Sequence, residues 1–254
     1  AGHIFRVAPE EIGRGMKMRL HGTIGSPIGN PGHSSPQAFF TDLVIYLSVM
    51  FLVREVYFSE IGFIPNGLMW SLTTLAVATW RMRARGVSWK DLGLRRPTNY
   101  KVSLIATVFI LGLAPVLVVL FQVMSDHLAL EVTPDNSGES AVSRFGDLRG
   151  NWLLFLTISP FVWFESLLEE LLDRGFLMNW IERMLSNNLF AVIARATIFG
   201  FRHSYDLSER SITVGLIGLA MGLGYVAFGR NLWPLIAAHC ALNTLSMLDR
   251  VTGV

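Results

Sequence analysis

The chain is short of charge. Of 254 residues only 16% are Asp, Glu, Lys or Arg, while 52% are hydrophobic, and mean hydropathy is +0.46. Soluble domains carry about 25% charged residues. Cysteine is nearly absent: Cys240 stands alone, which excludes an intrachain disulfide and a cysteine-built metal site. Alternating apolar and polar patterns are also missing. The apolar residues come in long blocks, which argues against a large soluble domain. No repeat recurs at a fixed period. Ala1 to Pro36 hold no apolar run of the kind a secretory signal needs, so none is expected there. Thr23 to Pro36 is rich in Gly, Pro and Ser and reads as a flexible lead; Met16 and Met18 are candidate natural starts.

What is present is a set of membrane-sized blocks. About 20 mostly apolar helical residues cross roughly 30 Å of hydrocarbon. The candidate spans are Phe39 to Phe58, Ile61 to Trp80, Val102 to Met124, Trp152 to Leu185, Leu189 to Phe201, Ile212 to Phe228 and Leu232 to Leu248. The expected fold is therefore all-α, a polytopic integral membrane bundle of seven to eight transmembrane helices. The block from Trp152 to Leu185 is too long for one straight span, and Pro160 is its candidate break. The division expected is a lead over residues 1–37 and a membrane domain over 38–254, with a functional core at 152–248.

Positive charge in short loops marks the cytoplasmic side. Arg81 to Lys101 holds Arg81, Arg83, Arg85, Lys90, Arg95, Arg96 and Lys101 against Asp91 alone. After the third block Asp126, Glu131, Asp135, Glu139 and Asp147 face only Arg144 and Arg149. This asymmetry predicts a cytoplasmic N-terminus; the location expected, separately from the charges, is a bacterial inner membrane. The basic loop sits between two spans, so it reads as a lipid anchor rather than a nucleic-acid site. Gly215, Gly218 and Gly222 share a helix face and read as close helix packing, without chemistry.

Ionisable groups inside the bilayer cost at least about 2.5–3.5 kcal/mol each on insertion scales, and so mark function. Three clusters carry them. In FESLLEELLDRGFL, Glu170 and Arg174 are four apart and can pair, while Glu165, Glu169 and Asp173 form a second stripe. In IARATIFGFRHS, Arg195, Phe199 and His203 line one face with Arg202 close by, and these cations can neutralise the acidic stripe. In WPLIAAHCALNTLS, His239 and Asn243 are four apart within an apolar span. A carboxylate, two imidazoles and an amide suit hydrolysis of an amide by water. A carboxylate takes the water's proton, and donors meet the oxyanion that forms.

In these residues the chain resembles the CPBP intramembrane proteases, which include the CAAX prenyl endopeptidases and bacterial Abi-type, bacteriocin-processing relatives. The shared pattern is Glu169-Glu170-x-x-x-Arg174, then Phe199-x-x-x-His203, then His239-x-x-x-Asn243. Gly175-Phe176-Leu177, Trp233-Pro234 and the upstream Leu92-Gly93-Leu94-Arg95-Arg96-Pro97 agree with it. The resemblance implies that Glu169 activates water with His203 beside it. It further implies that His239 and Asn243 stabilise the oxyanion, and that Glu170 and Arg174 form a supporting pair. No cofactor is expected; a zinc site of the His₂Glu kind is the option weighed against that. Asp173 departs from the pattern, which usually has an apolar or aromatic residue there. It could raise the proton affinity of Glu169, compete for Arg174, or mark a chain that has lost activity. In simple alternation His203 falls near the outer end of its span and Glu169 mid-block, so a kinked or re-entrant helix is expected to bring them together.

The implied substrate is a peptide or protein at the membrane, such as a leader peptide, a bacteriocin or a prenylated tail. The competing reading is a catalytically idle accessory or scaffold subunit of a larger membrane complex. A third makes His203 and His239 axial ligands of a haem or pigment. Cys240 reads as a small core residue rather than a nucleophile, and the absence of paired broken helices ranks transport low.

Overall fold

The computed structural model describes residues 35–133 and 147–253. Residues 1–34 of the N-terminal lead, and Asp135, Glu139 and Arg144 of the acidic loop, lie outside them, while Pro36 and Gln37 already belong to the first helix. Among the described residues the chain is helical and holds no strand. The helices are α1 (Pro36–Leu52), α2 (Phe63–Ala84), α3 (Tyr100–His127), α4 (Trp152–Glu170), α5 (Met178–Leu185), α6 (Asn188–Ser204), α7 (Glu209–Ala227) and α8 (Leu232–Thr252). A π-helical segment, Leu171–Leu177, joins α4 to α5. Among the described residues four segments are long and apolar enough to cross a membrane: Pro36–Glu55, Tyr100–His127, Trp152–Leu185 and Glu209–Ala227.

The protein is an integral membrane helical bundle. Its outer surface is apolar where a soluble protein's would be polar: along α3, Leu104, Ile105, Val108, Val116, Val119 and Leu120 are all exposed. A helix satisfies its own backbone, so such a face needs nothing but lipid against it.

Pro160 does not break the long block. The helix runs through it, as α3 runs through Pro115. The irregularity lies a few turns on, at Leu171–Leu177, where the bonding widens to the π pattern. Such wide turns occur mostly as short insertions in α-helices, often at functional sites. Asn179 supports this one, its Nδ2 donating to the carbonyls of Arg174 and Gly175, both at 2.8 Å. Every residue from Leu171 to Leu177 is buried, charged ones included.

One end of the bundle is pinned by polar clusters. Asp42 of α1 is fully buried and meets Arg81 at 2.6 Å, Arg85 at 2.8 Å and the Trp180 indole at 3.1 Å. Two cations of the basic loop thus serve an internal carboxylate rather than lipid. Gly93, at φ +102°, lets its loop lie against the turn into α8: a Cβ there would collide with the Arg230 carbonyl, and Gly93 O accepts from Leu232 N at 3.0 Å. The upstream Leu92–Pro97 segment is therefore a backbone clasp.

Candidate active site

The first motif lies on the wall of the long helix facing α6 and α8. Glu170 is fully buried, and its Oε1 accepts from Arg174 Nη1 at 2.8 Å and from His239 Nδ1 at 2.7 Å. The pair expected from spacing is formed. Arg174 also donates to the Gly218 carbonyl at 3.3 Å, as does Arg195. Gly218 thus has a polar role that its small-residue pattern did not signal. The packing role also holds: a Cβ at Gly218 would press on Arg195 and Phe199, and one at Gly222 on Val192.

Glu169 is the more open carboxylate, its side chain 23% exposed. Its Oε1 lies 3.2 Å from Arg202 Nη2, and its Oε2 lies 3.6 Å from His239 Nε2. His239 therefore stands between the two glutamates. A carboxylate on Nδ1 fixes the ring's tautomer and aims Nε2 at the open oxygen.

His203 presents its Nδ1 to the Phe199 carbonyl at 2.7 Å. The carbonyl can only accept, so Nδ1 carries the proton and Nε2 is left for other work. The ring is within electrostatic range of Glu169, although no hydrogen bond joins the two among the described residues. Asn243 donates to Ser166 Oγ at 2.9 Å, and that hydroxyl bonds the Val162 carbonyl at 2.8 Å. Glu165, one turn before Glu169, accepts from Ser71 Oγ of α2 at 2.7 Å and lies within electrostatic range of Glu169.

No re-entrant segment is needed to level Glu169 with His203. α5 and α6 form a hairpin that turns between Leu185 and Asn188. Glu169 lies 16 residues before that turn and His203 lies 15 after it, so antiparallel packing sets them at one height. By the same register Arg174 meets Phe199, its guanidinium 5.0 Å from the ring centroid.

Asp173 does not pair with Arg174. It turns to α6, 2.9 Å from Arg195 Nη2 and 3.4 Å from Arg202 Nη2. Three carboxylates (Glu169, Glu170 and Asp173) thus face three guanidiniums (Arg174, Arg195 and Arg202). The Phe199 ring packs among those cations, 4.2 Å from Arg195 and 5.5 Å from Arg202. Cation–ring contacts of this kind are strongest where water is excluded.

Zinc binds imidazole nitrogen at about 2.0–2.1 Å, but Arg202 already holds a positive charge against Glu169, and among the described residues no three ligand side chains converge. For axial ligation of a pigment each ring would use Nε2, its Nδ1 being bonded elsewhere, and His239 Nε2 faces a carboxylate instead. Cys240 is a partly buried residue beside the core, its thiol 3.8 Å from the Trp163 carbonyl.

Residues 150–245 match the family model described as type II CAAX prenyl endopeptidase Rce1-like. Over that segment the chain is similar to the CAAX proteases. All three motif helices fall within it, whereas α1 to α3 lie outside the matched segment. No curated protein and no solved structure matches the chain.

Sequence reasoning missed several partners inside and around this segment. Ser166 and Ser71 are ordinary small residues in an apolar block, and nothing in their spacing marks them. Tyr46 of α1 is fully buried with its hydroxyl unpartnered among the described residues, in electrostatic range of Asp173 and Glu169.

Proposed function

We propose that the protein is an intramembrane endopeptidase in which Glu169 activates the attacking water. The observation that carries this reading is the disposition of the two glutamates. Glu170 is buried and committed to Arg174 and His239, while Glu169 keeps an oxygen open opposite His239 Nε2. One carboxylate orients an imidazole and the other is left for a substrate or a water.

The chemistry follows from these roles. Glu169 takes a proton from water, and the hydroxide oxygen bonds the scissile carbonyl carbon. The negative charge that forms on the carbonyl oxygen needs donors in place beforehand. His239, with Glu170 accepting its Nδ1 proton, can carry a second proton on Nε2 and donate it there. The Asn243 amide has two N–H groups, one on Ser166 and one free for the same oxygen. His203 Nε2 can hold the water against Glu169. Collapse of the tetrahedral species breaks the C–N bond, and the proton held by Glu169 passes to the leaving amine.

Bound peptide and membrane lipid are the partners this requires, and the donor set supports a reaction without a metal. The charge asymmetry of the loops supports a cytoplasmic N-terminus, with the basic loop on that side. The idle-subunit reading has one observation in its favour, the Arg202 contact on Glu169 Oε1. Cleavage of a broad peptide library by purified protein, beside Glu169→Ala and His203→Ala, separates the two. Cleavage lost in both variants supports the peptidase. A folded wild-type protein that cleaves nothing across the library overturns it in favour of the accessory role.

A further inference from the structure

Arg202 is shared. A single nitrogen, Nη2, lies 3.2 Å from Glu169 Oε1 and 3.4 Å from Asp173 Oδ2. Charge-assisted N–H···O bonds close to about 2.7–2.9 Å when nothing else claims the donor, as the 2.8 Å Arg174–Glu170 bond does here. Both Arg202 contacts are therefore long, the signature of a donor pulled two ways. Asp173 is fixed in place: it is buried, and Arg195 holds it from α6 while donating in turn to the Gly218 carbonyl. The other Arg202 amino nitrogen rests 4.0 Å from Met50 Sδ, so no carboxylate claims it. Glu169 is faced by Arg202 and His203 from α6, by His239 from α8, by Tyr46 from α1, and by Glu165 and Asp173 from its own long helix.

We propose that Asp173 is a positioning residue that holds Arg202 back from Glu169, so that the glutamate stays open to a proton. An arginine free to swing fully onto Glu169 would form the planar two-bond pair its fork is shaped for, and a carboxylate so paired is a poor base. Asp173 occupies the guanidinium's nearest nitrogen and prevents that closure. The departure from the usual apolar residue at this position is thus a compensation for a cation beside the catalytic carboxylate. The inference rests on Glu169 being the base proposed above, but its test needs no substrate.

The test is labelling of Glu169 by an apolar carbodiimide, which adds to protonated carboxyls in water-poor surroundings, read by mass spectrometry at a fixed mildly acidic pH. Asp173→Asn lets Arg202 close on Glu169, and labelling should fall several-fold. Arg202→Gln removes the cation, and labelling should rise several-fold. Asp173→Glu should return it toward the wild-type level. Loosened packing alone would move both variants upward, so equal-signed shifts overturn the proposal. If Asp173→Asn fails to fold with Arg195 left unpaired, the double variant Asp173→Asn with Arg195→Met removes both charges, and its labelling should fall as well. Cleavage does not enter this readout. A protein that cleaves nothing yet shows opposite-signed shifts keeps the positioning role and loses the peptidase reading. One that cleaves while both shifts run upward does the reverse.

Discussion

Two buried ion clusters in this bundle differ in how completely they are satisfied. Near the α8 start, Arg230 meets Glu182 twice, at 2.6 and 2.9 Å, and adds Asn179 at 2.9 Å and Asn188 at 2.7 Å. Asn179 also donates to the Tyr225 hydroxyl at 3.0 Å, which donates on to the Leu92 carbonyl at 2.8 Å. Every contact there is short. Around Glu169 the contacts stretch to 3.2, 3.4 and 3.6 Å, and Glu170 Oε2 finds no hydrogen-bond partner among the described residues. A network this closely bonded stiffens a fold, although Arg230 Nε has no hydrogen-bond partner among the described residues. One left partly open keeps groups available for a ligand, at a cost in stability. The first cluster reads as structure and the second as chemistry.

This contrast can be broken from either side. Arg230→Met leaves Glu182 buried without its cation, and should cost about 3–5 kcal/mol, seen as a large drop in melting temperature in detergent. A small loss would mean that the cluster is hydrated and not the anchor described. Asn243→Ala removes a donor from the open cluster. It should lower kcat by about 10²–10³ with little change in melting temperature, since only the Ser166 contact is lost; a change in KM alone would place Asn243 in substrate binding. Gly93→Ala forces a Cβ against the Arg230 carbonyl at a positive φ, a strain of about 1–3 kcal/mol. It should appear as lost stability with cleavage per folded molecule unchanged.

The smallest effect lies outside the membrane. Asp91 accepts from the Ser88 hydroxyl at 2.6 Å and the Ser88 N–H at 2.9 Å, and these bonds hold its carboxyl below the usual range. Because the folded value is the lower one, its stabilisation is present above about pH 3.9 and fades as pH falls through the folded value. Solvent screening limits this to a few tenths of a kcal/mol. Asp91→Asn should flatten that acid limb by no more than this in a pH series of melting curves.

The motif residues were legible because each is an ionisable or amide group in an apolar block, where chance rarely leaves one. The bundle class and the helical blocks were legible from block length, although only four segments among the described residues are long and apolar enough to span. Leu185 and Asn188 show what was harder: once the long block is measured from its turn rather than from its middle, Glu169 and His203 come level without a re-entrant segment. The π segment had no visible signal, since Leu171–Leu177 reads as ordinary helix and Pro160 draws attention to the wrong place. The Arg230 and Asp42 clusters were missed because their partners come from helices far apart in sequence, at no recurring spacing. Asp173 was visible as a departure, but its partners on α6 depend on a packing register that spacing does not supply.

The most direct test of the account is the single-turnover rate of a cleaved peptide with wild-type protein and with Glu169→Gln, at matched melting temperature. The account predicts a fall of at least about 10²–10⁴-fold, the scale of a lost general base. A Glu169→Gln protein that cleaves at the wild-type rate would show that another group activates the water.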